Sequence, residues 1–229
     1  MPHFKNGSKI GINHTVNSTE ASGLYDLNSV HEYKIEGSFP ILIGIQLLAS
    51  RSVTTAQDTY DNLTYSINGT AIAGTTGRFV VHFYGSTTFT CDVQIDDVDI
   101  PYSGTTTDDF ELGVEGYERS TTATGNTLIS DYFNASFEAV TTGTSGGGDW
   151  LRDSGGTASS NTGSTIDQTL GTTAGFYLYM EGSGSHPISN FLRSPERTLQ
   201  STGTISWYES AFGANLATAT RDYYWIYTL

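Results

Sequence analysis

The densest group of side chains able to do chemistry is a run of carboxylates, Asp92, Asp96, Asp97 and Asp99. Carboxylates joined by loop carbonyls are the ligand set of Ca2+. Asp96, Asp97 and Asp99 are therefore the candidate metal ligands, for a structural Ca2+ in a chain expected to need no other cofactor. Successive strand residues face opposite sides, so these groups converge only where the backbone bulges. The competing reading is a solvated strand end whose Asp side chains bond nearby backbone.

Other chemistry is thinly supported. His3, His14, His31, His82 and His186 are scattered without metal-ligand spacing, and His82, inside an apolar run, reads as a core or interface histidine. Gly182-Ser183-Gly184-Ser185 has the letters of a serine-nucleophile turn, yet no helix pattern follows it. Glu138, Asp149, Glu181 and Glu209 offer carboxylate pairs for glycoside hydrolysis, whose decisive quantity is a separation that sequence does not give. Phosphate loops, Cys-x-x-Cys pairs and dinucleotide fingerprints are absent. We expect no catalytic residues and no enzyme. Trp150, Tyr177, Tyr179, Trp207, Tyr208, Tyr223, Tyr224 and Trp225 could stack on sugars, with Trp150 and Tyr179 the candidate glycan contacts. The competing assignment for these rings is core or subunit interface, and it is the favoured one. Asn-x-Ser/Thr sequons, among them those at Asn13, Asn17, Asn62, Asn68 and Asn134, are ordinary in a Thr-rich chain.

The elements that must carry these residues read as strands. Residues 41–48 form an apolar run, interrupted by Gly44 and Gln46, that predicts a buried strand and is too short to span a membrane. Residues 63–67 alternate with period two, and Asn68-Gly69 behind them is a hairpin signal. Residues 78–84 predict another strand. Along 89–100 the alternation puts Val93 and Ile95 on one face and Val98 and Ile100 on the other, which marks a bulge or strand end near Asp96-Asp97. Alternation recurs over 132–140, and 175–181, 204–208 and 222–229 supply the closing strands. Residues 141–149 and 154–165 read as long loops. This spacing predicts an all-β jelly-roll β-sandwich over 41–229, either one permuted sandwich or two packed ones subdivided near 103–130.

Residues 1–40 read differently. Gly7, Gly11, Asn13, Asn17 and Ser18 break any period, and Leu24, Leu27, Val30 and Tyr33 suggest a turn or two of amphipathic helix closed by Pro40. This is an N-terminal arm, either a strap on its own subunit or a docking segment for a neighbour. Its candidate partner contacts are Leu24, Tyr25, Leu27, Tyr33 and Phe39.

Composition narrows the function. The 229 residues carry 24 acidic against 10 basic groups, a net charge of −14, and such a field repels phosphate backbones. We therefore expect no nucleic-acid partner, and because no apolar run approaches the length of a span we expect no membrane insertion. The first residues lack the apolar core of a secretory signal. Cys91 is the single cysteine, so no intrachain disulfide can form.

The pieces Asn134-Ala135-Ser136-Phe137-Glu138, Asp149-Trp150-Leu151-Arg152, GFYLYMEGSGS (175–185), Phe191-Leu192-Arg193-Ser194-Pro195 and Ile205-Ser206-Trp207-Tyr208 follow one another as they do in a MAM-type domain. Residues 133–215 thus resemble that family, a jelly roll related to concanavalin-like folds. The family's usual closing strand resembles VQIDDVDI (93–100), which here precedes the other pieces, and the family's disulfides are missing. GLYDLNSVHEYKIEGSFP, in the arm, resembles an element of structural proteins of tailed phages, particularly of marine cyanobacteria. The resemblance implies a virion structural protein of a tail, fibre base or capsid, assembled in the host cytoplasm without a signal peptide. Its expected partners are other virion proteins and copies of itself in a homo-oligomer. The alternative is a carbohydrate-binding or adhesion module that contacts host glycans.

Overall fold

A computed structural model of the chain describes residues 31–33, 41–52, 59–85, 91–104, 107–121, 128–143, 148–158, 163–181, 189–213 and 219–229. The strands are β1 (His31–Tyr33), β2 (Ile41–Arg51), β3 (Asp61–Ser66), β4 (Thr76–Gly85), β5 (Cys91–Asp99), β6 (Glu118–Ser120) and β7 (Phe137–Ala139). They continue with β8 (Thr141–Thr142), β9 (Trp150–Ser154), β10 (Phe176–Glu181), β11 (Ser189–Arg193), β12 (Arg197–Thr198), β13 (Thr204–Gly213) and β14 (Ala219–Thr228). A short 3-10 helix, Ile129–Asn134, is the one helical element among the described residues.

The strands form two packed sheets, so the protein is a β-sandwich. One sheet runs β1-β2-β14-β4-β11-β6-β7, with β12 also on β4; the other runs β3-β13-β5-β10-β9-β8. All pairings are antiparallel except β8 on β9. Strands from the two ends of the chain alternate within both sheets: β14 lies between β2 and β4, and β13 between β3 and β5. Neither half of the chain closes a pair of sheets alone, and this interleaving makes one sandwich.

Period-two alternation supplies the core. Phe79, Val81 and Phe83 of β4 and Tyr223 and Trp225 of β14 meet Ile205 and Trp207 of β13 and Leu178 and Met180 of β10. Trp207 lies 4.6 Å from Tyr223 and 5.2 Å from Phe79, ring centre to ring centre. Such aromatic pairs add to the area they bury. Between the sheets a fully buried ion pair joins β14 to β13, with Arg221 donating to Glu209 at 2.9 and 3.2 Å and the Tyr223 hydroxyl also donating to Glu209.

Four expectations are corrected. Val93, Ile95, Val98 and Ile100 all enter the core, because a bulge at Asp97 inserts one residue and returns the strand to the same face. Tyr132 and Phe133 are in the 3-10 helix, not a strand, where they pack with Phe191 and Phe137 on the outer face of the larger sheet. Asn68-Gly69 turns the chain from one sheet to the other, with Gly69 at φ 71°, and closes no hairpin. At the end of the arm, His31–Tyr33 is a strand pairing with β2, and not helix. Leu24, Tyr25, Leu27 and Phe39 lie outside the described residues, and of Tyr33 only the backbone ladder to Ile41 is described.

Candidate functional site

Several carboxylates perturbed from their ordinary chemistry gather at one end of the sandwich, where the β5 bulge meets the loops 107–117 and 163–175. Asp97 is the bulge residue: β13 pairs Ser206 with Asp99 and Tyr208 with Asp96, so one residue of β13 faces two of β5. Its φ of 48° is a left-handed conformation that few non-glycine residues adopt. The bulge turns the Asp96 carboxylate back onto the chain, where Oδ1 accepts the Asp97 N–H at 2.9 Å and Oδ2 accepts the Gln168 N–H at 2.8 Å. Asp97 Oδ1 accepts from the Thr169 hydroxyl at 2.6 Å.

Asp167 organises the loop that Asp96 and Asp97 hold. Its carboxylate accepts the N–H groups of Leu170 (2.6 Å) and Thr172 (3.0 Å). Gly175 passes so close that a Cβ there would lie 2.0 Å from the Asp167 carboxyl carbon. A second clamp sits farther along the strand, where Gln94 donates to the Ser164 carbonyl (2.8 Å) and accepts its N–H (2.7 Å). The Tyr177 hydroxyl accepts from Gly156 at 3.0 Å. The loop is thus fastened over the outer face of the smaller sheet.

Electrostatics follow from this crowding of acids. Burial pushes the Asp96 carboxyl up to about 8, against its two backbone donors and with help from the Asp97 charge. Burial also raises Asp97 and Glu111. The Tyr60 hydroxyl, enclosed without a hydrogen-bond partner among the described residues, is pushed well above 10 by burial and then by Asp96. Across the corner, Glu115 is raised to about 8, first by burial and then by the neighbouring Asp108. Asp108 also takes Tyr117 (3.0 Å) and Arg197 (2.7 Å).

The structure brings Asp96 and Asp97 together and leaves Asp99 exposed beyond the bulge. Asp96 and Asp97 bond backbone and hydroxyl donors. Among the described residues no three His, Cys, Asp or Glu side chains are grouped so as to hold a metal ion. Trp150 and Tyr179, expected as glycan contacts, are both fully buried and present no ring to a sugar. Trp150 points into the core between the sheets. Tyr179 faces the other way and packs with Leu151 and Tyr177. Burial and then the charges of Asp153, Glu181 and Asp92 hold its hydroxyl far above 10.

His82 is fully buried, stacked on Phe191 at 4.2 Å, with Nε2 3.0 Å from the Ser189 hydroxyl. Its Nδ1 has no partner among the described residues, and the cross-strand neighbour Asp222 instead accepts from Tyr84 and Tyr224. Burial lowers His82 to about 3.

Sequence reading missed Asp167, Asp109, Glu111 and Arg152. The signal for Asp167 was available, since an Asp followed closely by Thr and Gly is an Asx-turn pattern. Arg152 had no such signal, because the Phe110 and Glu111 carbonyls that it holds are some forty residues away.

These features define a two-sheet β-sandwich with an acidic, loop-built end. Compared with known proteins, the chain matches no family model, and no solved structure matches it significantly. No described helix is long and apolar enough to cross a membrane.

Proposed function

We propose that the chain is a virion structural protein of a tailed phage, acting by assembly through its N-terminal arm and a jelly-roll body, with no chemistry of its own. The observation that carries this reading is the way the arm joins the body. The arm-to-body ladder described is three residues long, His31, Glu32 and Tyr33 opposite Ile43, Leu42 and Ile41, at the outer edge of the larger sheet. A strand added at a sheet edge is a standard mode of joining separate chains. The chain upstream of it includes Leu24, Tyr25 and Leu27, apolar contacts for a neighbour. The resemblance of GLYDLNSVHEYKIEGSFP to phage structural elements, and of 133–215 to MAM-type domains, supports the same assignment.

The test is the solution mass of the full-length protein against a variant lacking residues 1–30, which keeps the β1 ladder. A stable oligomer that falls to monomer on deletion, with an unchanged melting temperature, is the expected result. Equal masses overturn the arm. Host-glycan contact, the other reading of the sequence, has no exposed ring at Trp150 or Tyr179 and is not advanced on those residues.

A further inference from the structure

The acidic end of the sandwich also carries exposed apolar tips. Leu112 is 98% exposed, Leu170 53% and Ile166 39%. A lone exposed leucine is ordinary; Leu112 differs in how firmly its loop is built. Phe110 (φ 59°) and Glu115 (φ 50°) both adopt left-handed conformations, which few non-glycine residues take up unless the surrounding structure imposes them. Arg152 holds the Phe110 carbonyl at 2.6 Å and the Glu111 carbonyl at 2.8 Å, with its guanidinium 3.5 Å above the Phe176 ring. Asp109 accepts the Glu111 N–H at 3.1 Å, and Glu111 accepts the Phe176 N–H at 2.8 Å. Each residue leading up to Leu112 is tied down, yet the leucine itself stands in water. A rigid mount for an exposed apolar side chain is how an interface anchor is pre-organised.

Leu170 and Ile166 stand on the adjoining loop. The Glu111–Phe176 bond and the packing of Asp167 on Gly175 connect that loop to the Leu112 turn. Asp97, Asp109 and Glu111 set negative charge among the three tips. Burial already raises Asp97 and Glu111, so a cation brought beside them is welcome.

Charge decides the occupant. Residues 41–229 hold 20 Asp and Glu against 7 Arg, a balance of −13. Six of those arginines form ion pairs within the subunit, and Arg152 is the clamp just described. A second body is repelled from this end. One stretch of the chain has the opposite character: residues 1–19 contain Lys5 and Lys9, no carboxylate, and the apolar Phe4, Ile10, Ile12 and Val16.

We propose that residues 1–19 of a neighbouring copy dock on this end, apolar side chains against Leu112, Leu170 and Ile166 and lysines against Asp97, Asp109 and Glu111. The inference rests on reading residues 1–40 as an assembly arm and gives that arm its receptor.

The test measures self-association of the full chain by light scattering over a concentration series. Leu112→Ser alters a side chain in solvent, and Asp109→Asn keeps the oxygen that accepts the Glu111 N–H. Each, and the pair Lys5→Glu with Lys9→Glu, is expected to weaken association about tenfold with no change in melting temperature. Added salt is expected to weaken the parent protein likewise. A zero-length carbodiimide should link Lys5 or Lys9 to Asp109 or Glu111, and in mixed isotopically heavy and light copies the link should join heavy to light. Unchanged association in these variants, or links confined to one copy, overturns the proposal. If deleting residues 1–30 lowers the mass while the point variants do not, the receptor is wrong and the arm stands. If the deletion leaves the mass unchanged, both fall.

Discussion

Asp96 shows how a single residue sets a pH dependence. Its carboxyl is buried under Gln168 and raised to about 8 in the fold, against an ordinary value of 3.8. The folded state therefore binds the proton more tightly than the unfolded chain. The stabilisation is fully present below about pH 4 and is lost as pH rises through about 8. Glu115, also raised to about 8, contributes with the same sign. His82, lowered to about 3, works oppositely: the unfolded chain takes its proton first, so stability falls as pH drops from about 6.5 toward 3. Asp96→Asn removes the titration and keeps a side-chain oxygen for one of the two backbone donors, Asp97 N–H or Gln168 N–H, so the variant is less stable throughout and is read by its slope with pH. The decline in melting temperature between about pH 5 and 9 should be shallower in the variant. Identical slopes would show that Asp96 is charged throughout that range in the native protein.

At the scale of elements, the loop fastened over the smaller sheet depends on a glycine. The Gly175 backbone abuts the Asp167 carboxylate that fixes Leu170 and Thr172. Gly175→Ala must displace that carboxylate, and overpacking of this kind costs about 1–3 kcal/mol. Limited proteolysis within residues 163–174 should accelerate together with the fall in stability; a variant as resistant as the parent would show that the loop has room to shift. Much of this architecture was legible in the sequence. Apolar and aromatic runs located β2, β4, β10, β13 and β14, period-two alternation located β3, and the face switch near Asp96-Asp97 located the bulge. The consequence of that bulge was illegible, because only the register with β13 reveals that Val98 and Ile100 return to the core side. Over 132–140 the alternation located β7 at Phe137–Ala139 but misled at Tyr132 and Phe133, since alternating aromatics suit a 3-10 turn lying flat on a sheet as well as a strand. Core was the favoured assignment for Trp150 and Tyr179, and Trp150 fills the space between the sheets. That Tyr179, on the opposite face, is also enclosed was illegible, because composition alone does not say that a loop held by Gln94 and Ser164 lies over that face.

At the scale of the whole molecule, the buried pair Arg221–Glu209 joins the two sheets. Both side chains are fully enclosed, the guanidinium grips the carboxylate through two nitrogens, and Tyr223 donates a further hydrogen bond. Arg51 approaches the same carboxylate at 3.6 Å. Removing two charges from water is expensive, and their attraction together with these hydrogen bonds offsets that cost only while the set is complete. Glu209→Gln alone leaves the Arg221 guanidinium buried without its counter-charge and should destabilise the protein by about 3–5 kcal/mol. Arg221→Met with Glu209→Leu removes both charges and should recover most of that loss, since an apolar pair of similar volume is often neutral or better. Urea unfolding of the parent, the single and the double variant separates the cases. A double variant as weak as the single one would mean that the pair is itself a net source of stability, with Tyr223 and Arg51 dependent on it. Recovery in the double variant would mean that the sandwich is held by its aromatic core, and that the ion pair chiefly fixes how the two sheets are aligned.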